Sequence, residues 1–173
     1  MLLAEVARLG LEGVIAKRRN SRYEPGARGG AWLKVKVVRE QEMVIGGYTD
    51  PGGTRKYFGA LILGYYERGK LLYAGKVGTG FGTALLRALH EKFQGLVSAT
   101  CPFDNLPEPR GHRYGTALTA SEMKRCHWLR PELVCQVKFA EWTSDHRLRQ
   151  PVFIGLREDK PPKDVVREWV VTP

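Results

Sequence analysis

The sequence is short of several things, and each shortage closes a door. Cysteine occurs three times in 173 residues, at Cys101, Cys126 and Cys135, with no Cys-x-x-Cys pair. An odd, scattered set argues against a disulfide framework and a cysteine zinc site, and fits a reducing, cytoplasmic setting. No stretch approaches the roughly 20 apolar residues of a membrane helix. Glu5 and Arg8 break up the N-terminal segment, so neither a span nor a leader is expected. His90, His112, His127 and His146 share no ligand-like spacing, and no Gly-x-Ser-x-Gly is present, which weakens zinc and serine-hydrolase readings. Acidic residues are also scarce: 18 Asp and Glu face 28 Lys and Arg, for a formal charge of +10. A balance this basic points to a polyanionic partner, nucleic acid first.

What is present reads as a globular chain, 43% hydrophobic and 27% charged, long enough for one good core or one domain plus part of another. Residues 1–40 carry nine Lys and Arg against four acids, half the net charge in under a quarter of the length. Here "GVIAK" (13–17) and "WLKVKVV" (32–38) are short strand-prone runs joined by a basic, turn-rich loop. Alternation in the second run puts Lys34 and Lys36 on one face and Leu33, Val35 and Val37 on the other. From Gln41 the texture changes. "EMVIGGYT", "YFGALILGYYE" and "KLLYAGKV" are strand-like, with Glu67-Arg68-Gly69 as a tight hairpin. "FGTALLRALHEKFQGL" predicts a helix with Leu85, Leu86, Leu89 and Phe93 on its inner face, Thr83 as N-cap and Gly95 as stop. Residues 98–120 read as a long Pro- and Gly-rich loop. "ELVCQVKFAEW" alternates, with Leu133, Cys135, Val137 and Phe139 inward, and "PVFIGL" is a last strand. Five strands with a helix after the third predict a mainly β fold, a five-stranded OB-fold barrel with one interposed helix, the alternative being an irregular α+β sandwich.

Two groups of residues suit phosphate chemistry. Glu12, before an apolar strand, is a hard oxygen ligand for Mg²⁺, and Lys34 and Lys36 can neutralise a phosphate. After the last strand come Arg157, Asp159 and Lys160, a fork, an orienting carboxylate and an ammonium that could clamp a pyrophosphate. On spacing alone, a solvated charged surface is the favoured reading of both groups. "GKVGTGFG" (75–82) satisfies neither GxxxxGK[ST] nor GxGxxG, and reads as a strand-to-helix turn. Trp32, Trp128, Trp142 and Trp169 read as core or rim residues.

Taken in order, "EGVIAK", "WLKVK" and "RQPVFIGLREDK" resemble motifs IV, V and VI of the ATP-dependent DNA ligases, members of the covalent nucleotidyltransferase superfamily. "RPELVCQVKFAEWT" and "GKVGTGF" resemble the ligase component of the bacterial ligase D enzymes. The likeness runs from Glu12 to Lys160 and implies two parts: residues 1–40 as the terminal strands of a nucleotidyltransferase domain, and residues 41–173 as an OB-fold domain. It implies Glu12 as the metal ligand, Lys34 and Lys36 on the α-phosphate of ATP, and Arg157, Asp159 and Lys160 on its β,γ-phosphates. Lys76, Lys138, Arg18 and Arg19 become candidate contacts to the DNA backbone. The implied cofactors are ATP and Mg²⁺ or Mn²⁺, and the implied substrate is double-stranded DNA with nicks or ends. Ku and a polymerase–primase domain are implied partners, in a bacterial, nucleoid-associated setting.

The family nucleophile is the Lys of a Lys-x-Asp-Gly motif, and none of the eleven lysines here is followed by x-Asp-Gly. The expectation is therefore the C-terminal part of a ligase, unable to adenylylate itself and reliant on an upstream nucleotidyltransferase segment. Three other readings stand beside it: half of a split ligase, a stand-alone DNA-binding OB module, and a fragment of an RNA ligase or capping-type enzyme. Residues 1–40 are expected to be loosely packed or paired with another chain, including a second copy in a homodimer.

Overall fold

A computed structural model describes residues 13–21, 32–37, 39–108 and 117–168, together with Leu2, Glu5, Val6, Leu9 and Leu11. The expected motif residue Glu12, and Trp169 and His112, lie outside the described residues.

The described residues hold ten strands and two continuous α-helices, besides helical residues at Leu2, Glu5 and Val6. The first two strands, β1 (Gly13–Lys17) and β2 (Trp32–Lys36), form an antiparallel sheet of their own, in register from Gly13 opposite Lys36 to Lys17 opposite Trp32. Its basic end is fixed locally: the Lys17 ammonium lies 4.1 Å over the Trp32 ring, and the Trp32 indole N–H donates to Ser21 Oγ at 2.9 Å. Ile15 and Leu33 remain exposed, so this hairpin buries little apolar surface by itself.

The larger sheet follows the order β10-β7-β3-β4-β5, from β3 (Arg39–Thr49), β4 (Leu61–Glu67), β5 (Lys70–Val77), β7 (Cys126–Phe139) and β10 (Val152–Leu156). The short β6 (Val97–Ser98) adds to β7, and β8 (Glu141–Trp142) pairs with β9 (Leu148–Arg149). All the pairings between these strands are antiparallel, as hairpin and long-loop connections allow, and one isolated bridge, Tyr66 to Val166, is parallel. The β4–β5 hairpin turns tightly as expected, on Arg68 and Gly69, both at positive φ, with Glu67 the last residue of β4.

The two ends of this strand path approach each other. The Phe153 N–H at the start of β10 donates to the Thr79 C=O just past β5, and Thr79 Oγ1 donates to the Pro151 C=O. Phe81 stacks on Phe153 beside them, ring centroids 4.7 Å apart. No ladder joins β5 to β10 among the described residues, so the fold is mainly β and strongly curved, with its edges joined by these contacts.

The predicted helix is α1 (Thr83–Phe93). It buries Leu86, Leu89 and Phe93, with Leu85 half-buried. Each fully buried apolar side chain contributes roughly 1.5–3 kcal/mol, which is what holds an eleven-residue helix that is marginal in isolation. Two details differ from expectation. The N-cap is Gly82, with Thr83 already the first helical residue, and a 3-10 turn over Gln94–Leu96 carries the chain past Phe93 through Gly95. A second helix, α2 (Ala120–Met123), starts on a capping box between Thr119 and Glu122.

The core joins both sides of the curved sheet: Met43 and Ile45 of β3, Leu61 and Leu63 of β4, Tyr73 of β5, Val137 and Phe139 of β7, and Phe153 of β10. β7 is longer than its alternating half suggested. At Gly46 the β3 register shifts, and residues 129–132 of β7, including Pro131, span the step from Trp128 to Leu133. A proline without an N–H to donate fits such an irregularity.

Candidate functional site

Strand alternation builds the site. On β3, Gln41 and Met43 point to the core side while Glu40 and Glu42 take the other face; on β7, Cys135 and Val137 are buried and Gln136 and Lys138 face out. The ladder sets Glu42 directly opposite Gln136, and Gln136 opposite Gly155 of β10. One residue on, β10 ends at Leu156, and Arg157, next in the chain, is anchored by its N–H to the Val134 C=O at 2.8 Å.

Arg157, Asp159 and Lys160 do come together, around a carboxylate that the sequence did not single out. Arg157 Nε and Nη2 donate to Asp159 Oδ1 and Oδ2, both at 2.8 Å, a bidentate pair. Arg157 Nη1 donates to Glu42 Oε1 at 3.0 Å and to Gln136 Oε1 at 2.9 Å. Lys160 Nζ donates to the other Glu42 oxygen at 3.3 Å. Gln136 Nε2 in turn donates to Glu40 Oε2 at 3.0 Å. The cluster borders a cleft of about 360 Å³ formed by Glu132 to Val134 and Leu156 to Pro162. The hydrogen bonds from Arg157 hold the Asp159 carboxyl down at about 2, and the Asp159 and Glu42 carboxylates push the guanidinium above its ordinary range. Arg157 and Asp159 are therefore ionised at neutral pH, and with Glu42 and Lys160 they form a paired set suited to exchange with another anion.

The other candidates are spread out. Lys34 and Lys36 lie on β2, opposite Ile15 and Gly13. That register brings Lys36 across from the residue that follows Glu12. Arg18 and Arg19 are exposed just after β1. Lys138 is exposed on the same face of β7 as Gln136. Lys76 sits on β5, three strands away from β7 in the sheet order, half-buried with its Nζ 3.9 Å from Glu122 Oε1. It lines a separate cleft of about 260 Å³ with Thr49, Asp50, Arg125 and Cys126. Burial raises the Cys126 thiol to about 11, so it is no nucleophile at neutral pH.

Glu42 and Gln136 are the site residues that sequence reasoning missed. The signal was the period of two in "REQEMV", which puts Glu40 and Glu42 on one face with a buried neighbour between. That neighbour, Gln41, clips the C-terminal segment: its Nε2 donates to the Val166 C=O at 3.0 Å and its Oε1 accepts from the Glu168 N–H at 3.1 Å.

Comparison with known proteins shows the family. Residues 54–160 match the family described as the ATP dependent DNA ligase C terminal region, and residues 1–36 match the ATP dependent DNA ligase domain. The chain is 42% identical over 170 residues to the multifunctional non-homologous end joining protein LigD of Pseudomonas aeruginosa, covering 96% of this chain and 19% of that protein. The crystal structure of the ligase domain from M. tuberculosis LigD is 42% identical, with a TM-score of 0.66, over 96% of this chain and 50% of that one. A mycobacterial DNA ligase D complexed with ATP and MES gives a TM-score of 0.62 at 41% identity, again over 96% of this chain and 50% of that chain. The chain thus spans about a fifth of the length of the LigD protein and half of the solved ligase domain. On the match over residues 54–160, the chain belongs to the ATP-dependent DNA ligase family.

Proposed function

We propose that the chain is the C-terminal portion of an ATP-dependent DNA ligase that seals breaks bearing a 5′-phosphate and a 3′-hydroxyl, through lysyl-AMP and DNA-adenylate intermediates. The observation that carries this reading is the Arg157–Asp159–Lys160 cluster at the end of β10, in a chain of this family. A guanidinium fork and an ammonium, both held against one carboxylate, match the spread charge of a β,γ-phosphate pair in transit to pyrophosphate. Arg157 and Lys160 bind those oxygens; Asp159 holds the plane of the Arg157 fork. Lys34 and Lys36 act on the α-phosphate. Fixing both ends of the triphosphate orients it for in-line attack, which is where positioning gives its rate advantage. The nucleophilic lysine belongs to a Lys-x-Asp-Gly segment, which these 173 residues do not contain.

ATP as the nucleotide is supported by the family and by the mycobacterial relative solved with ATP. The divalent ion, Mg²⁺ or Mn²⁺, is assigned to Glu12. Among the described residues no three His, Cys, Asp or Glu gather as a metal site, and Glu12 lies outside them, so no step is assigned to the ion. In this reading residues 1–40 belong to the nucleotidyltransferase domain and residues 41–173 form the OB domain. The exposed Lys138, Arg18 and Arg19, with the half-buried Lys76, serve DNA backbone contact. The LigD relative is named as a multifunctional non-homologous end joining protein, which supports DNA ends as the substrate. Ku and a polymerase–primase domain as partners, in the bacterial cytoplasm, are part of this reading and follow from the ligase D resemblance alone. No described helix is long and apolar enough to cross a membrane.

Intact-mass spectrometry after incubation with ATP and Mg²⁺ tests the division of labour. The chain alone gains no AMP; an AMP adduct would overturn the assignment of the nucleophile elsewhere. Joined to a ligase nucleotidyltransferase segment, the wild-type chain restores adduct formation and nick sealing, and Arg157→Ala lowers the adduct yield at least tenfold. Equal yields from the two would remove Arg157 from the reaction.

A further inference from the structure

The cluster that is to grip a polyphosphate carries no surplus positive charge. Arg157 and Lys160 are each in contact with a carboxylate, Asp159 and Glu42 are the two partners, and Glu40 is one hydrogen bond further on, through Gln136. The two carboxylates that touch the cations are not equivalent. Asp159 is 66% exposed on a turn and can swing away, which frees the Nε/Nη2 edge of Arg157. Glu42 is 15% exposed, its backbone fixed in β3 opposite Gln136, and its carboxylate is held by both Arg157 and Lys160, so it has far less room to move aside than Asp159.

We propose that Glu42 is a positioning residue that acts as a fixed internal competitor for phosphate. It keeps Arg157 Nη1 and Lys160 Nζ together on one carboxylate, and it weakens their hold on any anion that cannot outbid it. A triphosphate, with several charges, displaces Asp159 and engages; pyrophosphate, once cleaved, meets a clamp with its own anion still in place and is released. This inference rests on Arg157 and Lys160 being the polyphosphate clamp, and it adds the residue that makes their grip reversible.

The test is titration of the full 173-residue chain with inorganic tripolyphosphate and with pyrophosphate, by calorimetry at low salt. Glu42→Gln keeps the shape and one acceptor for Arg157 but removes the competing charge. It tightens both anions about fivefold, the factor that corresponds to one ion pair near a surface. Glu42→Asp, which keeps the charge, returns affinity toward wild type, and adding Arg157→Ala to Glu42→Gln abolishes the gain. A structural role alone would loosen or leave unchanged the binding of Glu42→Gln. Unchanged or weaker binding, with wild-type affinity still dependent on Arg157, overturns the role of Glu42 and leaves the clamp standing. Binding that is indifferent to Arg157→Ala in every background overturns the clamp itself.

Discussion

Glu108 and Arg147 offer the sharpest stability prediction, because both ends of the pair are out of water. Glu108 is 5% exposed and Arg147 9%. Glu108 Oε1 accepts from Arg147 Nε at 3.1 Å and also from Nη2, while Oε2 accepts from the Leu118 N–H at 2.9 Å. Arg147 Nη1 donates to the Tyr73 C=O of β5 at 2.7 Å, and the guanidinium lies 5.0 Å from the Tyr73 ring centroid. The pair therefore ties the long loop after β6 to β5 and to the β8–β9 hairpin. Glu108→Ala leaves a buried guanidinium without its counter-charge and a buried N–H without its acceptor. Breaking a buried pair from one side costs about 3–5 kcal/mol, and at about 2–4 °C per kcal/mol for a domain of this size the melting temperature falls by about 10 °C. Urea unfolding followed by circular dichroism measures the loss. Glu108→Leu combined with Arg147→Met is the informative control: with both charges gone, it unfolds at higher urea than Glu108→Ala, since the penalty lies in the orphaned charge more than in the lost attraction. A Glu108→Ala loss under about 1 kcal/mol at unchanged slope, or a double variant no better than the single, refutes the reasoning.

Two further outcomes follow from the geometry. Asp159 titrates at about 2 because Arg157 bonds both its oxygens; its folded value lies below its unfolded one, so its contribution is present above the ordinary carboxylate range and is lost as pH falls through about 2. Carbon-detected NMR titration of Arg157→Gln should show Asp159 moving up toward the usual carboxylate value, and no movement would mean that the bidentate pair does not form in solution. Gly80 is at φ +95, and a Cβ there would lie 2.3 Å from the Phe153 carbonyl oxygen; Gly80→Ala is expected to cost about 2–4 kcal/mol in urea unfolding, from backbone strain plus a clash with main chain that cannot rotate away, and a near-neutral result would show that the β5 and β10 edges are free to part.

Much of this was legible in the residues. The strand periods of "ELVCQVKFAEW", the Arg68-Gly69 turn and the apolar stripe of α1 are local patterns, and local patterns survive into the fold. What was not legible depended on distant partners. Gly82 caps α1 because the chain arrives extended from the edge contact between Thr79 and Phe153, and no feature of Thr83 could reveal that. The run "GKVGTGFG" was readable as a strand-to-helix turn, but not the reason for its middle glycine: at Gly80 another backbone passes within contact distance. Arg157, Asp159 and Lys160 were readable as a run, but the state of their charges was not, since the deciding carboxylate lies 115 residues away in sequence from Arg157.

That separation bears on how the site works. The period that buries Met43, Cys135 and Val137 is the same one that presents Glu42 and Gln136 outward, and the ladder fixes both sets in a single register. A one-residue slip of β3 would put Met43 beside Arg157 and Glu42 into the core, destroying the fold and the site together. The counter-charge is thus built into the sheet, while Asp159 and Lys160 follow the end of β10. Any motion that opens the cluster to a phosphate must come from the turn and not from β3. A substitution that stiffens the turn, such as a proline at Glu158, should then slow exchange at Arg157 without altering the core, whereas substitutions on β3 change the energy of the closed state and leave the turn free to move.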